Sequence, residues 1–97
     1  MDRLSPYNIT DPLMRTELYR EIRNGDPSWP TYIIQPNETL MPELTAYRYY
    51  GIEGLKWVVM IAAGLDEPRG AMEAGVELQL PPVQWIRQRI IYYAGKP

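Results

Sequence analysis

The chain has 97 residues, with 10 basic and 12 acidic side chains, a net charge of −2, no histidine and no cysteine. One small domain is the default at this length, and the mixed charges leave no clustered basic face for nucleic acid. Without His or Cys there is no Ser–His–Asp or Cys–His nucleophile, no zinc site of the usual ligand sets and no disulfide framework.

Met1 to Tyr7 has no apolar core of the kind a secretory signal needs, and no apolar run approaches the roughly 20 residues that span a bilayer. The expectation is a chain made in the cytoplasm, with no membrane span. Leu4 to Thr10 reads as an extended arm carrying Tyr7. Asp11 then suits an N-cap with Pro12 at the first helical position. Leu13, Met14, Leu18 and Ile22 form an apolar stripe among Arg15, Glu17, Arg20, Glu21 and Arg23, and Asn24-Gly25 ends the helix. This helix either packs on the domain or docks on a partner. Trp29, between turn residues, reads as a plug at the edge of a small core.

Thr31 to Gln35 is a β-rich run, ended by Pro36-Asn37-Glu38. Thr39 suits the N-cap of a second helix, with Leu40, Leu44 and Tyr47 as its apolar stripe and Gly51 as its end. A third helix is expected over Glu53 to Ala63, with Leu55, Val58, Val59 and Ala62 on one face, Trp57 and Ile61 on the next, and Gly64 as its stop. Asp66 to Gly70 reads as a turn. Val76, Leu78 and Leu80 alternate with Glu77 and Gln79, giving a half-buried strand that ends at Pro81. Two strands alone are marginal, so helices must cover one face of the pair. The last helix opens near Pro82 and presents two faces, one of Val83, Ile86, Ile90 and Tyr93 and one of Trp85, Arg89 and Tyr92.

The resulting fold class is α+β: a βααβ unit over residues 31–81, an arm and helix over 1–30, and an amphipathic helix over 82–97. Gly51-x-x-Gly54 is too short for a phosphate loop, and Asp66-Glu67, weighed as a carboxylate pair for glycoside hydrolysis, are adjacent residues in a Pro/Gly turn and are expected simply to face water. No catalytic, metal or cofactor site is expected. The 8 Tyr and 3 Trp, with no Phe, suit either a small core that cannot bury its rings fully or an interface.

Tyr32-Ile-Ile-Gln-Pro-Asn-Glu-Thr-Leu40, Tyr49-Tyr50-Gly51 and Ala74-Gly75-Val76-Glu77-Leu78-Gln79-Leu80-Pro81 occur in the order of the opening strand, first-helix end and closing strand of a lysin-motif (LysM) domain, which they resemble. Asn37 and Gly64 depart from the usual Gly and Asn. Leu55-Lys56-Trp57, Val59-Met60-Ile61-Ala62 and Pro81-Pro-Val-Gln-Trp85 narrow the resemblance to LysM-like proteins of phage tails, the baseplate wedge proteins of contractile tails and the tail protein X group. The resemblance implies a virion structural protein, present in multiple copies and contacting tube, hub, wedge or sheath neighbours. The expected partner contacts are Trp85, Ile86, Arg89, Tyr92 and Tyr93, with Tyr7, Met14 and Arg15 second. The general family implies an alternative, binding of peptidoglycan or chitin-like glycan, through Asn37, Glu38, Thr39, Leu65 and Met72.

Overall fold

A computed structural model describes residues 3–65 and 71–95. Asp66-Glu67 and the turn to Gly70 lie outside the described residues. Among those described are four α-helices and a two-stranded antiparallel sheet: α1 (Pro12–Asn24), β1 (Thr31–Ile33), α2 (Pro42–Tyr50), α3 (Lys56–Ala62), β2 (Glu77–Gln79) and α4 (Val83–Ala94). No helix among these residues is long and apolar enough to cross a membrane.

Local chemistry sets most boundaries. The Asp11 carboxylate accepts from the Leu13 N–H at 2.9 Å and Pro12 occupies the first turn, so α1 begins where its orphan donors are satisfied. Gly25 ends it at φ 71°. β1 and β2 pair in the register Thr31↔Gln79, Tyr32↔Leu78 and Ile33↔Glu77. The ladder continues past both ends, through Leu80 N–H to the Pro30 carbonyl and Ile34 N–H to the Val76 carbonyl. Tyr32 and Leu78 face inward; Thr31, Ile33 and Glu77 face outward. Val76, expected on the buried side, is exposed at the open end of the ladder.

The second helix starts later than expected. Pro36–Glu38 forms a 3₁₀ turn in which the Glu38 carboxylate accepts from the Gln35 N–H, and the Met41 N–H bonds to the Glu38 carbonyl. Met41, not Thr39, is the N-cap residue. Leu40 lies outside the helix, and Leu40 and Tyr47 are exposed while Pro42, Thr45 and Ala46 are buried. Small side chains at 45 and 46 let α2 lie close against α3. α3 follows a 3₁₀ turn at Glu53–Leu55 and buries Leu55, Val58 and Val59, the expected face.

The N-terminal segment from Leu4 and α4 both pack on this unit, and the expected extended arm is broken by a 3₁₀ turn at Pro6–Asn8. Leu4 and Ile9 are buried in the core. The Trp57 indole N–H donates to the Leu4 carbonyl at 3.0 Å, and the Arg15 guanidinium donates to the Ile9 carbonyl. α1 inserts Leu18 and Ile22; α4 inserts Ile86, Ile90 and Tyr93 and lies along α1. Leu13, expected in the α1 stripe, is 72 % exposed. Trp29 is buried and meets the Trp85 ring edge-on, with centroids 4.8 Å apart.

Candidate functional site

Two carboxylates organise the polar interior. Glu38 is fully buried. It accepts from the Tyr32 hydroxyl at 2.6 Å, from the Gln35 N–H at 2.9 Å and from the Arg48 guanidinium at 2.9 Å. Burial alone raises its pKa, but these donors outweigh it and hold the carboxyl below its ordinary value. The same contact, after burial, pushes the Tyr32 hydroxyl up to about 12. Arg48 also donates to the Asn37 side-chain carbonyl. Glu38 therefore ties the turn after β1 to the body of α2.

The second carboxylate, Glu21 of α1, meets Arg89 at 2.6 Å and the Tyr93 hydroxyl, both on α4, and Arg89 also donates to Tyr93 at 3.0 Å. The Arg89 guanidinium lies over the Tyr92 ring as well, 4.4 Å from its centroid. Burial, then the Glu21 contact, raises the Tyr93 pKa. The cluster fastens the last helix to the first.

These contacts redistribute the residues expected to meet partners. Ile86 and Tyr93 are buried in the chain's own core, Trp85 packs on Trp29, and Arg89 is committed to Glu21. Ile86 and Tyr93 are thus inside the core, while Trp85 and Arg89 are half-buried with partners within the chain. Met14 is half-buried against the core, and Arg15 is held by the Ile9 carbonyl and by the Tyr7 ring, 5.1 Å from its centroid. Tyr7 and Tyr92 remain exposed. Periodicity finds the inner face of α4 correctly. It does not show that the second face closes on Glu21, because that carboxylate lies 68 residues from Arg89 in sequence.

Leu13 and Ile91 are exposed residues that the reading of partner contacts leaves out. The Ile90-Ile91 doublet carries a signal for one of them. Adjacent helical positions are about 100° apart, so only one of the two can face the core.

The glycan set is divided too. Glu38 and Met72 are buried, Thr39 and Leu65 are half-buried, and Asn37 is exposed. The Met72 N–H donates to the Thr39 carbonyl at 2.7 Å, so the two loops that would flank a sugar are bonded to each other there. Tyr50, whose hydroxyl donates to the Pro81 carbonyl at 2.7 Å, ties the end of α2 to the segment after β2. Burial raises its pKa. No group of three or more metal-ligating side chains occurs among the described residues. No family model, curated protein or solved structure matches the chain.

Proposed function

We propose that the chain is a structural subunit of a phage tail baseplate or tail-tip complex, a LysM-like unit with an added helix at each end, acting through protein–protein contacts and not as an enzyme. The observation that carries this reading is the closure of the βααβ unit. The segments that resemble LysM pair antiparallel around α2 and α3. Three residues of the resembling motifs do the closing: Glu38 fixes the first turn, Tyr50 reaches Pro81, and Tyr49 meets Tyr32 edge-on at 5.7 Å. The working surface then lies outside the unit, on the exposed Tyr7, Leu13, Ile91 and Tyr92. Glycan binding is less favoured, because Glu38 and Met72 are already engaged in the fold.

The test is an inventory by mass spectrometry of purified tailed particles from cells that make the chain. A fixed stoichiometry in intact particles is the expected result, with a Leu13→Glu variant folded but under-represented. Absence of the wild-type chain from particles refutes the subunit reading. Chemical-shift changes confined to Asn37–Leu40 and Leu65–Met72 at sub-millimolar chitooligosaccharide transfer the case to glycan binding.

A further inference from the structure

The described chain carries complementary surfaces that are not in contact with each other. From Val83 to Ala94, α4 contains Arg87 and Arg89 and no carboxylate, in a chain whose net charge is negative. Its C-terminal half and the N-terminal loop enclose an open groove of about 410 Å³, lined by Arg3, Asn8, Arg87, Ile90, Ile91 and Ala94. Ile91 is 66 % exposed, and no carboxylate lines the groove among the described residues. Neither Arg3 nor Arg87 makes an ion pair among the described residues, whereas Arg89 beside them is spent on Glu21.

The complement lies on the sheet. On its outer face Ile33 is 50 % exposed and stands directly opposite Glu77, which is also exposed. Val76 immediately precedes it and Glu73 lies four residues before it, both exposed. Neither Glu73 nor Glu77 makes an ion pair among the described residues. Ile91 lies eight residues along α4 from its first residue, about 12 Å at the helical rise. The sheet face and the groove share no residue.

We propose that the Ile33–Glu77 face of one copy docks into the Arg3–Arg87–Ile91 groove of a second copy of this chain. A carboxylate beside an exposed apolar side chain meets guanidiniums beside another, so the apolar contact supplies area and the charges supply register. The chain itself carries the required complement, which favours a second copy over an unrelated acidic partner. Because face and groove differ, the contact is heterologous. A pair joined this way keeps one face and one groove free, and the association builds a ring or a filament and not a closed pair. Exposed ion pairs contribute little singly, so the contact is weak in solution and strengthens where neighbours hold copies side by side. The inference rests on the assembly reading for that setting, and it fails separately from it.

The test is sedimentation equilibrium of the intact chain at low salt, from about 10 μM to about 1 mM, with Arg87→Glu and Glu77→Arg variants. Both positions are exposed, so thermal unfolding of each variant should match wild type and certify its fold. Wild type is expected to gain weight-average mass with concentration and lose it in salt, since screening reaches about 10 Å at 0.1 M. Each single variant should lose association at least about tenfold, because like charges then face each other. The two variants mixed, and the R87E/E77R double variant, should recover it. A wild type that stays monomeric to about 1 mM overturns the proposal, as does association that ignores both reversals. Arg87-dependent binding to phosphatidylglycerol vesicles by a monomeric wild type would instead assign the groove to an anionic surface. Particles that contain the chain and accept R87E at normal levels leave the subunit reading standing and remove this contact.

Discussion

Replacing Glu38 with glutamine keeps the shape of the side chain and removes its charge. Glu38 is fully buried, and three donors reach it: the Tyr32 hydroxyl, the Gln35 N–H and the Arg48 guanidinium. Hydrogen bonds to a charged group are worth about 1.5–3 kcal/mol each, against about 0.5–1.5 for neutral ones. An amide oxygen can still accept from one or two of these donors, but its NH₂ faces donors it cannot satisfy. Arg48 is 39 % exposed and can be rehydrated, which discounts its share. The expected loss is about 1–3 kcal/mol for Glu38→Gln. For Glu38→Ala, where every donor loses its acceptor, it is about 2–4. Urea unfolding at neutral pH measures both. The folded-state pKa is depressed below the ordinary 4.5, so the unfolded chain takes up the proton first as pH falls. The Glu38 contribution is therefore complete above about pH 4.5 and disappears as pH drops through the folded value. The wild-type and glutamine curves should converge there. A Glu38→Gln variant as stable as wild type at pH 7, or a gap that does not narrow as the pH falls below about 4.5, would refute the account.

Four further outcomes follow from the structure. Gly25 sits at φ 71°, ψ 178°, a region only glycine enters without strain, so Gly25→Ala should cost about 1–3 kcal/mol in thermal unfolding. Gly51, at φ 74°, ψ 11° and with open space around it, should accept asparagine for less than about 1 kcal/mol. Trp29→Ala removes a buried ring from against Trp85 and should cost about 3–5 kcal/mol, with a red shift of the remaining tryptophan emission. In a spectrophotometric titration Tyr32 should ionise near pH 12, and Glu38→Gln should bring that step down. Since its folded pKa is raised, its contribution is present below about pH 10 and is lost as pH climbs through the folded value.

What could be read from sequence is what local chemistry decides. Asp11-Pro12 and Asn24-Gly25 mark both ends of α1 because cap and terminator act within two or three residues. Leu55, Val58 and Val59, and Ile86, Ile90 and Tyr93, follow a helical period, and their burial follows with it. The misread features depend on partners far along the chain. The α2 start hinges on Glu38, whose acceptor role is completed by Arg48 ten residues on. The N-terminal segment, expected as an extended arm, packs on the core because Trp57, 53 residues away, holds the Leu4 carbonyl. No periodicity encodes such a meeting.

The same physics decides where an interface can lie. Tyr, Trp and Arg suit wet boundaries because each joins an apolar body to a polar tip. In α4 that property is used internally. Glu21 accepts from the Arg89 guanidinium and the Tyr93 hydroxyl, and Trp29 covers one side of Trp85. A side chain whose polar end is already paired and whose body is already covered has little left to offer a neighbour. Ile91 and Leu13 have no polar tip to satisfy, and the fold leaves them in water. The hydrophobic effect favours removing them from it, at about 25 cal/mol for each Å² covered. The Trp85, Arg89 and Tyr93 side chains of α4 are therefore a fastening within the subunit, and the apolar side chains that the fold leaves in water include Leu13 and Ile91, with Arg3 and Arg87 making no ion pair among the described residues.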